Sequence, residues 1–449
     1  MYFLYSLAII CYAVLLAPRL LYDAVRHGKY IGTLGERWGR LPPVINPLCG
    51  PSIWIHAVSV GEVLATRALI PALRDRYPDH TLWLSTTTQT GRTAALGLAE
   101  VDGLFYFPFD LPPVVARALD RVRPRLFIMV DTELWPNLLR QCRRRGVKTM
   151  LVNGRISDRS YPRYRLVRPF FRQVLAGVDR CCAQSEESGR RLIDLGAPQS
   201  RVTVTGNLKF DTLPVPESGS PRVRHGVLRA FRIAEGRMVV MAASTHPGEE
   251  TPVLEAFERI AHRDPDALLV LAPRRPERSG DVVALAARRG FETVRRSELP
   301  VDGEPLAAVV VLDSVGELAT LFQIATVVFL GGSLVPAGGH NLLEPAAWGK
   351  PVVFGPHMEN FAEIAELFLK NRAARQIHTA GALEPALSGL LGDPVQRAAL
   401  GAAASVLVQA HRGATDRSLA ALAALLPPTG GSPADVVMPF RKRRDAPSA

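Results

Sequence analysis

The hydrophobic pattern of the chain alternates between short apolar runs and longer segments whose apolar residues recur at helical spacing. Residues 53–59 and 126–130 are runs of the length and composition typical of buried strands, and residues 61–77 show the spacing of a helix. Strands that alternate with helices predict a parallel sheet covered by helices on both faces. The fold class predicted from this pattern is therefore α/β.

The alternation is interrupted once, at residues 211–224, where prolines and a glycine occur without apolar periodicity. Because 449 residues are too many for one compact core, we expect two Rossmann-like domains that face a cleft. The predicted divisions are an N-terminal membrane anchor at 1–22, an N-terminal domain at 23–210, a linker at 211–225, a C-terminal domain at 226–426 and a disordered basic tail at 427–449. The tail is assigned from its Pro, Gly and Ser content and its Arg-rich run.

The first segment predicts contact with a membrane. Residues 2–17 carry no charge, and the run is slightly shorter than the ~20 residues that a full span needs. No basic residue precedes it and no small-residue cleavage site follows it, which argues against a removed signal peptide. The basic residues that follow, from Arg19 to Arg40, predict that the rest of the chain stays in the cytoplasm. We expect an uncleaved anchor that spans the bilayer or lies in its interface; a buried helix of the first domain is the alternative.

The charge of the chain indicates an anionic partner. Its 54 Lys and Arg against 42 Asp and Glu give a formal net charge of +12, which suits nucleic acid or a membrane surface. Arg163, Arg165, Arg168 and Arg172 alternate with aromatic residues, as at an anionic membrane interface, and single-stranded nucleic acid is the competing interpretation. The apolar N-terminal segment favours a membrane over nucleic acid.

Cysteine usage supports neither a disulfide framework nor a zinc site. The five cysteines are odd in number and include no CxxC pair. This usage agrees with a cytosolic location for the body of the protein.

A glycine-rich segment at residues 331–345 joins a predicted strand to a predicted helix at 341–348. Glycines let backbone N–H groups approach a ligand, and a helix N-terminus favours an anion, so Gly332 and Ser333 are candidate donor-binding residues. Glu344 is placed to accept hydrogen bonds from ribose hydroxyls, and Asn341, one helical turn away, faces the same side. The spacing differs from GxGxxG, which argues against a dinucleotide site and favours a sugar nucleotide.

Polar residues also follow several other predicted strands, at the edge where parallel sheets bind ligands. They are Glu62, Asp131, Glu133, Ser244, Thr245, His246, Pro273, Arg274 and Glu317. This repeated placement is harder to explain by packing than any single residue. It favours a binding site built from strand ends.

The individual side chains suggest acid–base and anion chemistry. A helix-start position is expected to lower the pKa of Glu62, which would keep it ionised and able to accept a proton from a hydroxyl; helix capping is the alternative role. Asp131 and Glu133 are close enough to split their pKa values or to bind a cation, or else to cap a helix. Lys209 and Arg274 suit phosphate or carboxylate groups.

Several separated motifs, in the same order, resemble the Kdo transferases, which add 3-deoxy-D-manno-octulosonic acid (Kdo) to a lipid A precursor. The motifs are His56-Ala57-Val58-Ser59-Val60-Gly61-Glu62, Thr132-Glu133-Leu134-Trp135-Pro136-Asn137, Gly206-Asn207-Leu208-Lys209-Phe210-Asp211, Ser244-Thr245-His246-Pro247-Gly248-Glu249-Glu250, Ala272-Pro273-Arg274-Arg275-Pro276-Glu277-Arg278 and the glycine-rich segment. The resemblance implies a two-domain glycosyltransferase of the GT-B type that needs no metal or cofactor. It implies CMP-Kdo as donor and a tetraacylated lipid A precursor as acceptor, at the cytoplasmic face of the inner membrane.

The resemblance also implies roles for individual residues. Glu62 corresponds to the catalytic base, and Asp131 and Lys209 correspond to charge-stabilising positions. Since the family often has Glu where this chain has Asp131, Glu133 is a further catalytic candidate. The implied CMP site is Pro273, Arg274, Val315, Gly316, Glu317, Asn341, Leu342, Leu343 and Glu344, to which the strand-end positions add Ser244, Thr245, His246, Gly332 and Ser333. Candidate acceptor-binding residues are Arg92, Arg163 and Arg165.

Three other functions remain open at this stage. A GT-B enzyme that uses a UDP-sugar and another lipid-linked acceptor has the same outline. A membrane-anchored module that binds a nucleotide or RNA without catalysis is the second. The third is a nucleotide-sugar epimerase, against which the N-terminal apolar segment argues. The number of Kdo residues transferred is not specified by the sequence.

Overall fold

The computed structural model describes residues 2–27, 31–158, 160–213, 226, 229, 236–299 and 307–428. Residues 214–225 of the predicted linker and 429–449 of the predicted tail lie outside this set. The chain forms two compact units, one made of Met1–Thr212 with Gly413–Ala449 and the other of Leu213–Arg412. Each unit contains one seven-stranded parallel sheet, so the α/β prediction is confirmed.

The first unit has the strand order β3-β2-β1-β4-β5-β6-β7. Its strands are β1 Ser52–His56, β2 Thr81–Thr86, β3 Gly103–Tyr106, β4 Pro124–Val130, β5 Lys148–Gly154, β6 Arg180–Ala183 and β7 Val202–Val204. Its first helices are α1 Tyr2–His27, α2 Leu34–Arg37, α3 Val60–Ala65, α4 Leu69–Arg76, α5 Gln89–Ala95, α6 Pro112–Val122, α7 Pro136–Arg144, α8 Tyr161–Leu166, α9 Arg168–Leu175 and α10 Glu186–Asp194. The strand order reverses between the neighbours β1 and β4, and open α/β sheets bind ligands at such a point.

The strands of this sheet are buried on both faces because helices cover each side. Successive side chains of a strand point to opposite faces, so Trp54 and Phe127 enter one hydrophobic cluster while Ile53 and Ile55 enter the other. All five residues of β1 are buried. The carboxyl ends of β1 and β4 are therefore held by a rigid layer on each side.

The second unit has the strand order β10-β11-β9-β8-β12-β13-β14. Its strands are β8 Val239–Thr245, β9 Leu268–Pro273, β10 Thr293–Arg295, β11 Val309–Val311, β12 Val327–Leu330, β13 Val352–Phe354 and β14 Arg375–Gln376. Its helices are α11 Glu250–Arg263, α12 Ser279–Arg288, α13 Leu318–Leu321, α14 Leu343–Ala347, α15 Ala362–Lys370, α16 Leu383–Gly392 and α17 Pro394–Ala410. Here the order reverses between β8 and β12, which pair in parallel.

The last helix, α18 Ala414–Ala423, belongs to the first unit. Its residues Leu419 and Leu422 lie in the same hydrophobic cluster as Ile53 and Ile55, and the carboxylate of Asp211 accepts hydrogen bonds from the first amides of the helix. This corrects the prediction of one continuous C-terminal domain at 226–426. The partners of α18 lie 202 or more residues earlier in the chain, so the local sequence pattern of the helix cannot indicate them.

Helix α1 packs on the first unit through its first turns. The hydroxyl of Tyr5 donates to Asp110 over 3.0 Å, and the amide of Asn137 donates to Ser6 Oγ over 3.0 Å. Large apolar side chains elsewhere on α1 are exposed, with Phe3 77% and Leu15 78% accessible. Across the described ranges of the chain, no helix combines the length and hydropathy needed to cross a bilayer.

Candidate active site

Glu62 lies at the carboxyl edge of the first sheet, on α3 just after β1. Its side chain is only 9% exposed. One carboxylate oxygen accepts the N–H of Val58 over 2.6 Å, and the other accepts the hydroxyl of Ser59 over 2.9 Å. These two hydrogen bonds fix the carboxylate at the point where the strand order reverses.

The environment of Glu62 raises its pKa to about 7. Burial is the largest cause and the negative charge of Asp131 the second, and together they outweigh the hydrogen bonds from Val58 and Ser59. The prediction that the helix field lowers this pKa was therefore wrong. Helix α3 has only six residues, and its field is weaker than the desolvation of a buried carboxylate.

Glu133 belongs to the same electrostatic cluster. Its pKa is raised to about 7, first by burial and then by the charges of Glu62 and Asp131. The structure therefore brings together the three predicted catalytic carboxylates. Among the residues that the structure describes, no group of three or more His, Cys, Asp or Glu side chains has the arrangement of a metal site.

Asp131 is held by an asparagine from the neighbouring strand. It follows β4 with φ of 56°, in the left-handed region, and its Oδ1 accepts a hydrogen bond of 2.5 Å from the side-chain amide of Asn153 on β5. The carbonyl of the same amide accepts the N–H of Leu208 over 3.0 Å. Leu208 begins the single turn that carries Lys209, so Asn153 connects two predicted catalytic residues.

The candidate acceptor-binding arginines lie in two places. Arg92 on α5 stacks over Tyr106 at 4.9 Å and bonds Glu36 over 3.3 Å, and Arg37 lies over the same ring at 4.7 Å. The turn that precedes α5 bonds the carbonyl of Val58, which places this pair of arginines beside the Glu62 loop.

The other two arginines, Arg163 and Arg165, are exposed on α8. Arg165 forms an ion pair with Asp194 at 3.8 Å. The role of Arg163 and Arg165 in acceptor binding stays a prediction.

In the second unit, a histidine pair lies where β8 and β12 end. The Nε2 atoms of His246 and His340 are 2.9 Å apart, so one ring must donate its proton to the other. The pKa of His340 is lowered to about 4, first by burial and then by the positive charges of Arg274 and His246. His340 is therefore neutral at physiological pH.

The glycine-rich loop after β12 is organised by Glu249, which is fully buried. One carboxylate oxygen accepts the N–H groups of His246 (2.9 Å) and Gly332 (2.6 Å), and the other accepts those of Ser333 (3.0 Å) and Leu334 (2.9 Å). The backbone N–H groups of Gly332 and Ser333, predicted to bind a donor anion, are thus already used within the protein. That part of the prediction was wrong because Glu249 already accepts these N–H groups. Glu249 lies 83 residues before Gly332, so the glycine-rich segment by itself could not indicate this partner.

The remaining donor-site candidates also lie at strand ends. Pro273 ends β9 and the N–H of Arg274 bonds the carbonyl of Thr245, the last residue of β8 beside Ser244. Helix α14 is shorter than the helix predicted at 341–348, and the side-chain amide of Asn341 donates to Glu344 over 3.0 Å. Leu342 and Leu343 are fully buried and hold this turn in place.

The segment after β11 is more open. Val315 is 86% exposed, Gly316 has φ of 95°, and Glu317 accepts hydrogen bonds from Ser314 and Arg296. The structure therefore places the predicted CMP-site residues at the carboxyl ends of β8, β9, β11 and β12.

Four residues of these sites were not singled out from the sequence. Glu249 lies within one of the motifs, His340 within the glycine-rich segment and Arg37 among the basic residues that follow the N-terminal apolar run, while Asn153 lies outside all of these. Glu249 and Asn153 both end or follow apolar strands, a signal that could have found them. Their partners are non-local and could not have been inferred.

Comparison with known proteins gives a consistent family. Residues 32–212 match the family model described as 3-deoxy-D-manno-octulosonic-acid transferase. The chain is 35% identical to the 3-deoxy-D-manno-octulosonic acid transferase of Haemophilus influenzae, over 93% of this chain and 97% of that protein. It is 38% identical to the enzyme of the same name from Bordetella pertussis, over 84% and 87% of the two chains.

Among solved structures, the chain is similar to UDP-GlcNAc 2-epimerase from Neisseria meningitidis, with a TM-score of 0.57 over 83% of this chain and 99% of that chain. At 13% identity this similarity shows a shared fold and nothing about the reaction.

Proposed function

Because the chain belongs to the 3-deoxy-D-manno-octulosonic acid transferase family, we propose that it is an inverting glycosyltransferase that moves Kdo from CMP-Kdo to a tetraacylated lipid A precursor. The observation that carries the chemistry is the buried carboxylate of Glu62, whose pKa of about 7 lies at the working pH. A general base is most effective when its pKa is near the operating pH.

The proposed step is a single displacement. Glu62 accepts the proton of the attacking acceptor hydroxyl while the hydroxyl oxygen forms a bond to the anomeric carbon of Kdo. The bond between that carbon and the phosphate oxygen of CMP breaks, and CMP leaves with the electron pair. General base catalysis of this kind contributes typically about 10²–10⁴-fold. The charges of Asp131 and Lys209 act on the same reacting centre.

The donor is assigned to the second unit. Arg274 offers a planar fork of donors that suits the single phosphate of CMP, so the proposal needs no metal ion to neutralise a diphosphate. The paired Asn341 and Glu344 supply an oxygen that ribose hydroxyls can bond. The cleft between two domains, predicted from the sequence, stays a prediction.

We assign the protein to the cytoplasmic face of the inner membrane. The exposed Phe3, Leu4 and Leu7 at the start of α1 and the exposed Leu166 at the end of α8 support this, because their apolar side chains suit the boundary of lipid head groups and acyl chains. Exposed arginines on α8, among them Arg163, suit the anionic head groups of phosphorylated lipid. In this arrangement α1 lies in the interface rather than across the bilayer.

The experiment offers the detergent-solubilised protein a lipid A precursor with either CMP-Kdo or UDP-GlcNAc and weighs the lipid by mass spectrometry. The proposal predicts a gain of one or more Kdo masses with CMP-Kdo only, and its loss in Glu62→Gln. The matched control is Glu186→Gln, an exposed glutamate in the first turn after β6, which retains transfer. A sugar gained from the UDP donor, or full transfer by Glu62→Gln, would overturn the proposal.

A further inference from the structure

Asn153 makes contacts that its position as a buried strand residue does not require. It is 1% exposed and lies on β5, near a shift in the register between β5 and β6. Its φ of 56° is the left-handed conformation that an asparagine tolerates better than most residues. The backbone therefore departs from regular strand geometry at the residue whose side chain reaches the neighbouring loop.

Both halves of the Asn153 amide have a distinct partner. The NH2 group donates to Asp131 over 2.5 Å, and the carbonyl oxygen accepts the N–H of Leu208 over 3.0 Å. A side-chain amide supplies a donor and an acceptor on separate atoms, and the partners allow one orientation of the group, since a flipped amide would oppose donor to donor and acceptor to acceptor.

The two partners belong to different loops of the first unit. Asp131 follows β4, and Leu208 opens the turn that carries Lys209. We propose that Asn153 is a positioning residue for Kdo transfer, which holds the Asp131 carboxylate and the Lys209 turn in one fixed relation beside Glu62. This inference rests on the function proposed above.

The surroundings of Asn153 explain why this position matters for acid–base chemistry. Through its hydrogen bonds to Asp131 and to the turn that carries Lys209, Asn153 is connected to a cluster of coupled titratable groups: Glu62 on α3, Asp131 and Glu133 after β4, and Tyr164 on α8. The negative charge of Asp131 raises the pKa values of Glu62 and Glu133, and Glu133 contributes to the raised pKa of Tyr164. The hydrogen bond that Asn153 donates holds the Asp131 carboxylate in place beside these groups.

The test measures the pH dependence of kcat/KM for wild type, Asn153→Ala, Asp131→Asn and the double variant. Asn153→Ala is expected to lower kcat by roughly 10²-fold with a smaller change in KM, as for a misplaced catalytic group. Both single variants shift the acidic limb of the profile to lower pH: Asp131→Asn removes the negative charge that raises the pKa of Glu62, and Asn153→Ala leaves that charge without the hydrogen bond that fixes it beside Glu62. In the Asp131→Asn background, Asn153→Ala produces no further shift.

A control separates positioning from stability. Asn46 is also 1% exposed, has φ of 45° and makes side-chain hydrogen bonds, in its case to the carbonyls of Gly50 and Val122. Asn46→Ala should destabilise the same unit without moving the acidic limb. If Asn153→Ala lowers kcat/KM by the same factor at every pH, as Asn46→Ala is expected to do, the proposal is overturned.

Asn153→Asp keeps the test decisive if the alanine variant does not fold. It still accepts the N–H of Leu208 but faces Asp131 with a second carboxylate, so kcat falls most steeply at high pH, where both are ionised. Unchanged kcat at all pH values would contradict the proposal.

A readout without turnover distinguishes the two levels of inference. Urea unfolding of wild type, Asn153→Ala, Asp131→Asn and the double variant forms a double-mutant cycle. The unfolding free energies should be non-additive, which reveals the coupling between Asp131 and Asn153. If the two residues are coupled but the wild-type protein transfers no Kdo, the proposed function is wrong and the contact between Asn153 and Asp131 is established. If the wild-type protein transfers Kdo but the two residues are not coupled, only the proposed role of Asn153 is wrong.

Discussion

Replacement of Glu249 by Gln is expected to loosen the loop after β12 far more than the loss of one charge suggests. Each carboxylate oxygen of Glu249 accepts two backbone N–H groups, and the side chain is fully buried. A glutamine retains one accepting oxygen and presents an NH2 group in place of the other. In either orientation of the amide, two buried N–H donors therefore face another donor.

The magnitude follows from these two orphaned donors. A buried donor left without a partner costs about 1–3 kcal/mol, so the variant loses about 2–6 kcal/mol of local stability. Because every 1.4 kcal/mol is a tenfold change, amide exchange in the loop should accelerate by roughly 30-fold to 10⁴-fold if exchange proceeds through local opening.

Hydrogen–deuterium exchange followed by mass spectrometry of peptides that contain residues 331–334 measures this directly. Glu250→Gln is the matched control: Glu250 is 2% exposed, and its carboxylate forms an ion pair with Arg278 at 2.7 Å. The control should leave loop exchange near the wild-type rate. Equal exchange in the two variants would refute the assignment of Glu249 as the residue that organises the loop.

Three further predictions follow from the first unit. The pKa of Glu62 is raised from 4.5 to about 7, so the folded state binds the proton more tightly than the unfolded state does. The stability that this protonated carboxyl contributes is fully present below pH 4.5, and about 3 kcal/mol of it is lost as pH rises through 7. The urea midpoint of Glu62→Gln should therefore fall less over this pH range than that of wild type, whereas equal slopes would contradict the shift. Asp211→Ala leaves two amides at the start of α18 without their acceptor and should lower the unfolding free energy by roughly 1–3 kcal/mol in urea titration; no change would show that water replaces the carboxylate. The double variant Phe3→Ser, Leu15→Ser should bind anionic vesicles more weakly than wild type in a co-sedimentation assay, whereas Leu48→Ser, at another exposed leucine, should bind as wild type does. Equal binding by the double variant and by Leu48→Ser would argue against α1 as the membrane contact.

The alternation of strands and helices was predictable because buried parallel strands are apolar along their whole length. The strands predicted at residues 53–59 and 126–130 are present as Ser52–His56 and Pro124–Val130. Strand β3, at the edge of the sheet, was missed because its four residues include two that are only partly buried. The predicted helix at 61–77 is interrupted after Ala65, where the hydroxyl of Thr66 donates back to the carbonyl of Val63.

The site could be located from the sequence, but its electrostatics could not. The residue types after β1, β4 and β8 indicated where ligands bind, because the ends of parallel strands meet at one edge. The raised pKa of Glu62 depends on burial and on Asp131, 69 residues away, and the glycine-rich loop depends on Glu249. Such pairings arise only when the sheet forms, so a local pattern cannot report them.

The most direct test of the account is the pH dependence of Kdo transfer from CMP-Kdo to the lipid A precursor, measured as kcat/KM by lipid mass. The account predicts an acidic limb with an apparent pKa near 7 in the wild-type protein, and transfer reduced by at least about 10²-fold in Glu62→Gln. An acidic limb near the ordinary glutamate pKa of about 4.3, or a Glu62→Gln variant that transfers Kdo at the wild-type rate, would contradict it.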